Sequence, residues 1–175
     1  LLCGPKVDAL VYVQGFDVPL GDAARLERFE PGFRRIARAA GCRAVVVRTN
    51  LREHPRFLRA GWKLTHGGAL ACVAHLLKAS FGCAEIASSD TGIFNTAWGS
   101  HQDTDPLYSS EDLTIRHVGE NVHRLQKHRA IAAEPLVREH LWVCWEGRGG
   151  RLNCGRCEKC LRTMICLLGL GELER

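Results

Sequence analysis

The sequence predicts an α/β protein with a doubly wound, mostly parallel sheet, helices on both faces and a C-terminal zinc turn. Three observations carry this. Short apolar runs alternate with longer stretches of helical periodicity. The apolar runs are nearly continuous, as in parallel strands covered on both faces. Near the C-terminus stands Cys144-x9-Cys154-x2-Cys157-x2-Cys160. Right-handed crossovers between such strands give an open sheet whose ligands sit beyond the carboxyl ends of the strands.

The elements follow in order. Residues 7–13 (VDALVYV) read as a buried strand and QGFDVPLG as its exit loop. Asp22 caps a helix with Ala23, Leu26 and Phe29 on its apolar side. Pro31 is expected to interrupt it, and a second helical run through Phe33, Ile36, Ala37 and Ala40 stops at Gly41. Residues 44–48 form the next strand. A helix over residues 65–79 turns Leu70, Val73, Ala74 and Leu77 inward. Residues 84–89 are a third strand, followed by a long loop over residues 90–112. LTIRHV is a fourth strand, residues 121–133 a helix, LWVCW a fifth strand or extended segment, and residues 157–168 a closing helix.

Composition narrows the class. With 175 residues, 46% hydrophobic and 25% charged, the chain is one ordinary globular domain or most of one. No apolar run approaches the roughly 20 residues that span a bilayer, so no membrane role is expected. The opening LLCGPKVDALVYV has no charged leader and no small-residue cleavage site, so it is not expected to be a signal peptide, and it starts on Leu1 without an initiator methionine, so the chain is expected to be cut from something longer or to lack an upstream segment. The net charge of +5 is spread along the chain; it permits an anionic partner without requiring one. Of nine cysteines, Cys3, Cys42, Cys72, Cys83 and Cys166 stand singly in apolar surroundings and are expected as buried free thiols. That usage suits the reducing cytoplasm.

Cys144, Cys154, Cys157 and Cys160 are the strongest chemical signal. Cysteines at i, i+3 and i+6 bring their sulfurs together around a tight turn, and Gly155 lets that turn form. Cys144 arrives from LWVCW across a Gly/Arg loop. Four thiolates at this spacing suit a closed tetrahedral Zn²⁺ site of the structural kind. Disulfides or buried free thiols are the plain alternative, and an iron–sulfur cluster uses the same ligands.

The long loop is the next candidate. Loops beyond about 12–15 residues are commonly functional or disordered, and Phe94, Trp98 and Tyr108 speak against disorder. Ser100, His101, Asp103 and Asp105 can bind a polar ligand, a cation or a phosphate; a loop satisfied by its own Asx turns is the alternative. His66 and Gly67, with Gly68, are expected at a helix N-terminus, where free amides favour an anion. Arg124, Lys127 and His128 share a helix face that either touches phosphates or is simply solvated. Lys159 and Arg162 lie beside the cysteine turn, where they clamp an anion or balance the thiolates. No P-loop, G-x-G-x-x-G, G-x-S-x-G or HExxH occurs.

Cys144, Cys154, Gly155, Cys157, Cys160 and Arg162 at the end of an α/β chain resemble the zinc turn of the 7-cyano-7-deazaguanine synthase group. Those are PP-loop ATP-pyrophosphatases of the adenine nucleotide alpha-hydrolase-like (HUP) fold. The likeness extends through VDALVYVQGFD, AVVVRTN and IASSD. GSHQDTDPLYSSEDLTIRH with NCGRCEKCLRTM resembles bacterial PP-loop-like proteins more closely still. The resemblance implies a nucleotide-binding-like domain over residues 1–143, with residues 144–175 as the zinc turn and closing helix packed on it. It implies ATP with Mg²⁺, adenylation of a small carboxylate or carbonyl substrate, and pyrophosphate release. Gly15 and Asp17 would then face the nucleotide, and His66, Gly67, Ser100, His101, Asp103 and Asp105 the substrate. The family's Ser-Gly-Gly-x-Asp-Ser loop does not occur in this chain, and Gln14-Gly15-Phe16-Asp17 stands where Tyr-Gly-Gln is expected. Either the phosphate loop lies upstream of Leu1 or this is a degenerate relative, so the chain alone is expected to be inactive. A zinc-bearing module that binds RNA or a protein is the other reading, with Arg148, Arg151, Arg156, Lys159 and Arg162 around the turn.

Overall fold

The computed structural model describes residues 6–89, 97–147 and 150–173. The chain divides into two units, residues 1–49 with 125–175, and residues 50–124.

The first unit is built on a β–α–β segment. Strands β1 (Ala9–Gln14) and β2 (Arg43–Arg48) pair in parallel with Val11 opposite Val45. Helix α1 (Ala23–Ala39) joins them, and the Asp22 carboxylate caps it by accepting the Arg25 N–H at 3.1 Å. The expected break at Pro31 does not occur; one helix runs through it. Leu26, Phe29, Phe33, Ile36 and Ala37 make one stripe across the proline, so packing favours continuity. The Glu27 carbonyl that loses its partner lies on the exposed side with Pro31, open to hydration. Phe29 is the centre of that packing, 4.5 Å from the Tyr12 ring and 4.7 Å from Trp142, and stacked on Phe33 at 5.4 Å.

Helices α4 (Arg124–Ala132), α5 (Pro135–His140) and α6 (Glu158–Gly169) complete this unit apart from Arg124 itself. Helix α5 was not expected. It is short and set off by Pro135, with too few apolar positions to show a period. His128 is buried rather than solvated, so the α4 face is not a purely basic surface. LWVCW joins no ladder among the described residues. The Asn153 side chain serves it instead, accepting the Val143 and Cys144 N–H groups at 3.0 and 3.3 Å and donating to the Leu141 carbonyl at 2.7 Å.

The second unit holds helices α2 (Pro55–Ala60) and α3 (Trp62–Leu76) and the parallel strands β3 (Cys83–Ala87) and β4 (Thr114–Val118). Its core is Ala71, Ile86, Leu113 and Ile115, with Leu70, Ala74 and Ala84 packed around it. Residues 88–113 connect β3 to β4 with a 3-10 turn at Asp105–Tyr108 as a described element. Among the described residues the ladders are two pairs, β1–β2 and β3–β4. The α/β alternation and parallel pairing agree with expectation. Cys72 and Cys83 do not: both are exposed, because Cys72 points away from its buried helix neighbours Ala71 and Val73 and Cys83 opens a strand. Cys42 and Cys166 are half-buried, and Cys3 lies outside the described residues. Among the described residues no helix is long and apolar enough to cross a membrane.

Helix α3 begins at Trp62, three residues before the expected start, and the loop enters its hydrogen-bond ladder. The Gly99 N–H donates to the Lys63 carbonyl at 2.9 Å, and the Gly67 N–H donates to the Gly99 carbonyl at 2.8 Å. The Gly99 peptide thus sits between two groups that would otherwise bond each other. Only glycine fits on either side: a Cβ on Gly67 would stand 1.9 Å from the Gly99 oxygen, and one on Gly99 would stand 2.6 Å from His66 Nδ1.

Two outcomes are expected. Gly67→Ala should lower stability by roughly 1–3 kcal/mol in urea unfolding, while Gly82→Ala, with nothing within 4 Å of its Cβ, stays within about 0.5 kcal/mol. Burial, then the Asp17 charge, pushes the Tyr12 hydroxyl from 10.0 up to about 12. Between those pH values the unfolded chain releases a proton that the folded chain keeps. This group's contribution therefore falls as pH rises from 10 to 12, and urea titrations of Tyr12→Phe should lose that part of the pH dependence.

Candidate functional site

The four cysteines meet. Their sulfurs all lie within 4.8 Å of one another, with Cys144–Cys157 at 3.8 Å and Cys154–Cys160 at 4.0 Å. Thiolates about 2.3 Å from one tetrahedral ion stand about 3.8 Å apart. Bonded sulfurs stand about 2.05 Å apart, so no pair here is a disulfide. In an iron–sulfur cluster the cysteines are shared among several iron atoms, whereas a spread of 4.8 Å suits ligands of a single ion. The donor set and spacing fit Zn²⁺.

The local sequence builds this grouping. Gly155 takes φ +70°, and the turn it allows aims the Arg156 and Cys157 N–H groups at Cys154 Sγ, 3.5 and 3.3 Å away. The Gly147 N–H reaches Cys144 Sγ at 3.4 Å. Cys157 then stands at the position preceding α6, which carries Cys160 one turn on. Asn153, next to Cys154, holds the Cys144 segment in place through the bonds described above. Burial raises the Cys144 thiol, but amide donors, Gly147 foremost, outweigh it and leave it at about 6. Burial chiefly pushes Cys160 up to about 12. A divalent cation among the sulfurs favours the thiolate form of all four.

A cation packed on the Gly147 segment is one the sequence did not single out. Arg25 from α1, its side chain 11% exposed and paired with Asp22 at 2.8 Å, lies directly against Gly147. Arg162 is engaged with Glu158 at 2.9 Å on the same helix. Arg148 lies outside the described residues, as does Phe94.

The loop of the second unit gathers Ser100, His101, Asp103 and Asp105. Asp105 is fully buried and is the hub. Its Oδ2 accepts the Ser100 hydroxyl at 2.7 Å and its Oδ1 accepts the His101 N–H at 3.2 Å. Asp103 is exposed and donates its N–H to His101 Nδ1 at 3.2 Å, an arrangement of the self-satisfied kind. The sequence reading missed His117 of β4, whose Nδ1 stands 2.8 Å from Asp105 Oδ2. A histidine two residues from Ile115, on the core face of an apolar strand, was the available signal.

His66 and Gly67 are not at a helix N-terminus. They lie in the second turn of α3, where Gly67 is buried against Gly99 and His66 Nδ1 stands 3.2 Å from the Trp62 carbonyl. The His66 ring meets Trp98 edge-on at 5.6 Å. No free amide is left there for an anion. Gly15, in the first unit, takes φ +105° and abuts the Thr49 carbonyl, where a Cβ would stand 1.7 Å away. It serves a turn closed by its N–H to the Val18 carbonyl at 2.7 Å, and Asp17 stands exposed within that turn.

No family model matches the chain, and no curated protein or solved structure matches it.

Asn153→Ala removes three hydrogen bonds from the segment bearing Cys144. It should cost about 1–2 kcal/mol and weaken zinc retention about tenfold or more, read by thermal unfolding and by competition with a chromophoric chelator.

Proposed function

We propose that this chain is the zinc-stapled α/β part of a PP-loop enzyme that uses ATP with Mg²⁺ to adenylate a small carboxylate or carbonyl substrate and release pyrophosphate. The observation that carries the reading is the gathering of four sulfurs beside a parallel β–α–β segment, in the order and place that the resemblance implies. Cys144, Cys154, Cys157 and Cys160 hold Zn²⁺, which cross-links LWVCW to α6 and takes no part in the chemistry. The doubly wound HUP arrangement belongs to this reading, as do Asp17 facing nucleotide and the Asp105 loop facing substrate. A cytoplasmic location is supported by the free thiols of all eight described cysteines. The phosphate-binding loop is a requirement of the chemistry that these 175 residues do not themselves supply.

A second reading has its own support. Trp145 is 51% exposed next to Cys144, and Arg151 and Arg156 are exposed around the turn. An exposed indole among arginines is a stacking platform for single-stranded RNA.

Metal analysis of the native protein should give one zinc per chain. Cys157→Ser should release it and unfold at least the C-terminal segment; a metal-free chain of unchanged stability overturns the zinc site. Native full-length protein should release pyrophosphate from ATP when the right member of a carboxylate panel is present. No substrate-dependent release, together with RNA binding that weakens with salt and in Arg151→Ala/Arg156→Ala, selects the RNA-binding module instead.

A further inference from the structure

The geometry points to a docking surface for single-stranded nucleic acid on the second unit, formed by cations and aromatic rings that alternate along one array. It rests neither on the ATP chemistry proposed above nor on the Trp145 platform, which belongs to the first unit.

Three segments build the array. Arg52, from a 3-10 turn at Leu51–Glu53, holds its guanidinium over the Trp62 ring of α3, 4.6 Å from the centroid. Lys63 of α3 holds its ammonium over the Trp98 ring of the long loop at 5.2 Å. His66 joins the two indoles, its ring 6.2 Å from Trp62 and 5.6 Å from Trp98. Its Nδ1, 3.2 Å from the Trp62 carbonyl, fixes the ring between them. Arg56 and Arg59, three residues apart on α2 and so on neighbouring positions of its surface, add two exposed cations. Residues 52–66 thus carry four Arg or Lys side chains and one carboxylate, Glu53. Among the described residues no carboxylate pairs with Arg56, Arg59 or Lys63.

Two properties of the array choose the partner. Its positive charge is not balanced within the unit and attracts an anionic chain. Trp98 is 42% exposed beside an ammonium, so it offers indole surface to a flat ring while the cation meets a phosphate. Single-stranded nucleic acid carries both groups on one chain, phosphates for the cations and unpaired bases for the rings. A duplex keeps its bases stacked on each other and presents mainly phosphate to such a surface. An anionic membrane also attracts the cations, but surface helices bind it by burying one apolar face. The exposed Leu58 and Leu64 stand on two different helices, α2 and α3, and form no such single face. Every base has a face to stack, so the surface is tolerant of sequence. Trp98, Lys63, Arg56 and Arg59 touch the strand, and His66 is a positioning residue for the indoles.

Fluorescein-labelled oligouridylate of about 12 nucleotides, titrated with the whole zinc-loaded chain at rising sodium chloride and read by anisotropy, should bind with an affinity that falls by a log–log slope of about −0.7 per phosphate contacted. Arg56→Ala/Arg59→Ala removes two exposed side chains and should lessen that slope by about 1.4. Trp98→Ala should weaken binding about tenfold without changing the slope, and Trp98→Phe, which keeps a ring to stack on, should restore most of it. If Trp98→Ala does not fold, Trp98→Phe and the arginine pair decide. Binding that survives Arg151→Ala/Arg156→Ala belongs to this surface. Binding lost in that variant and unchanged in Arg56→Ala/Arg59→Ala overturns it in favour of the zinc turn. No binding, equal affinity for a duplex of the same length, or tighter binding to phosphatidylserine vesicles overturns it as well.

Discussion

Sulfurs brought within 4.8 Å of one another by backbone geometry set the constraint on which the first unit depends. Three of them come from one turn and the start of one helix, so their approach is local. The fourth, Cys144, must be carried in from a segment that has no strand neighbour among the described residues. Asn153 does this by bonding three backbone groups of that segment with one side chain. The same segment carries Trp142 into the Tyr12–Phe29–Phe33 cluster on α1 and β1. The four-cysteine cluster and the aromatic core are thus two ends of one short stretch of chain.

Charge around the sulfurs follows from the same packing. A ligand shell of four thiolates around one divalent ion is net negative and needs a cation that water does not screen away. Arg151 and Arg156 are close in sequence, but both are exposed and exposed charges do little. Arg25 is mostly buried, is fixed by Asp22 and lies on Gly147, whose N–H points at Cys144.

The second unit solves a different problem, fixing a long polar connection between two parallel strands. It does so at two points. Gly99 enters the α3 ladder, so the loop and helix share hydrogen bonds. Asp105 buries a carboxylate and surrounds it with donors from the loop and from β4. Buried charge is tolerated only when its acceptors are satisfied, and here the satisfying groups are a hydroxyl, a backbone N–H and an imidazole.

How much of this was legible in the sequence depends on distance along the chain. The clustering of the four cysteines was, because C-x2-C-x2-C encodes its own geometry. So were the four strands and most helices, because apolar period is a local signal, and Asp22 as a cap. The helix through Pro31 was not, since a proline's local cost was outweighed by a stripe of core contacts spanning it. His66 and Gly67 looked like a helix start because the glycines hid the turn before them, and their actual purpose required knowing that Gly99 arrives there. Asn153 standing in for a strand, Arg25 against Gly147 and His117 on Asp105 all join residues 9 or more apart in sequence. The sequence by itself determined which side chains can hold a metal and where strands and helices alternate. The tertiary structure alone decided which polar groups meet, because a hydrogen bond between distant residues leaves no period or spacing to read.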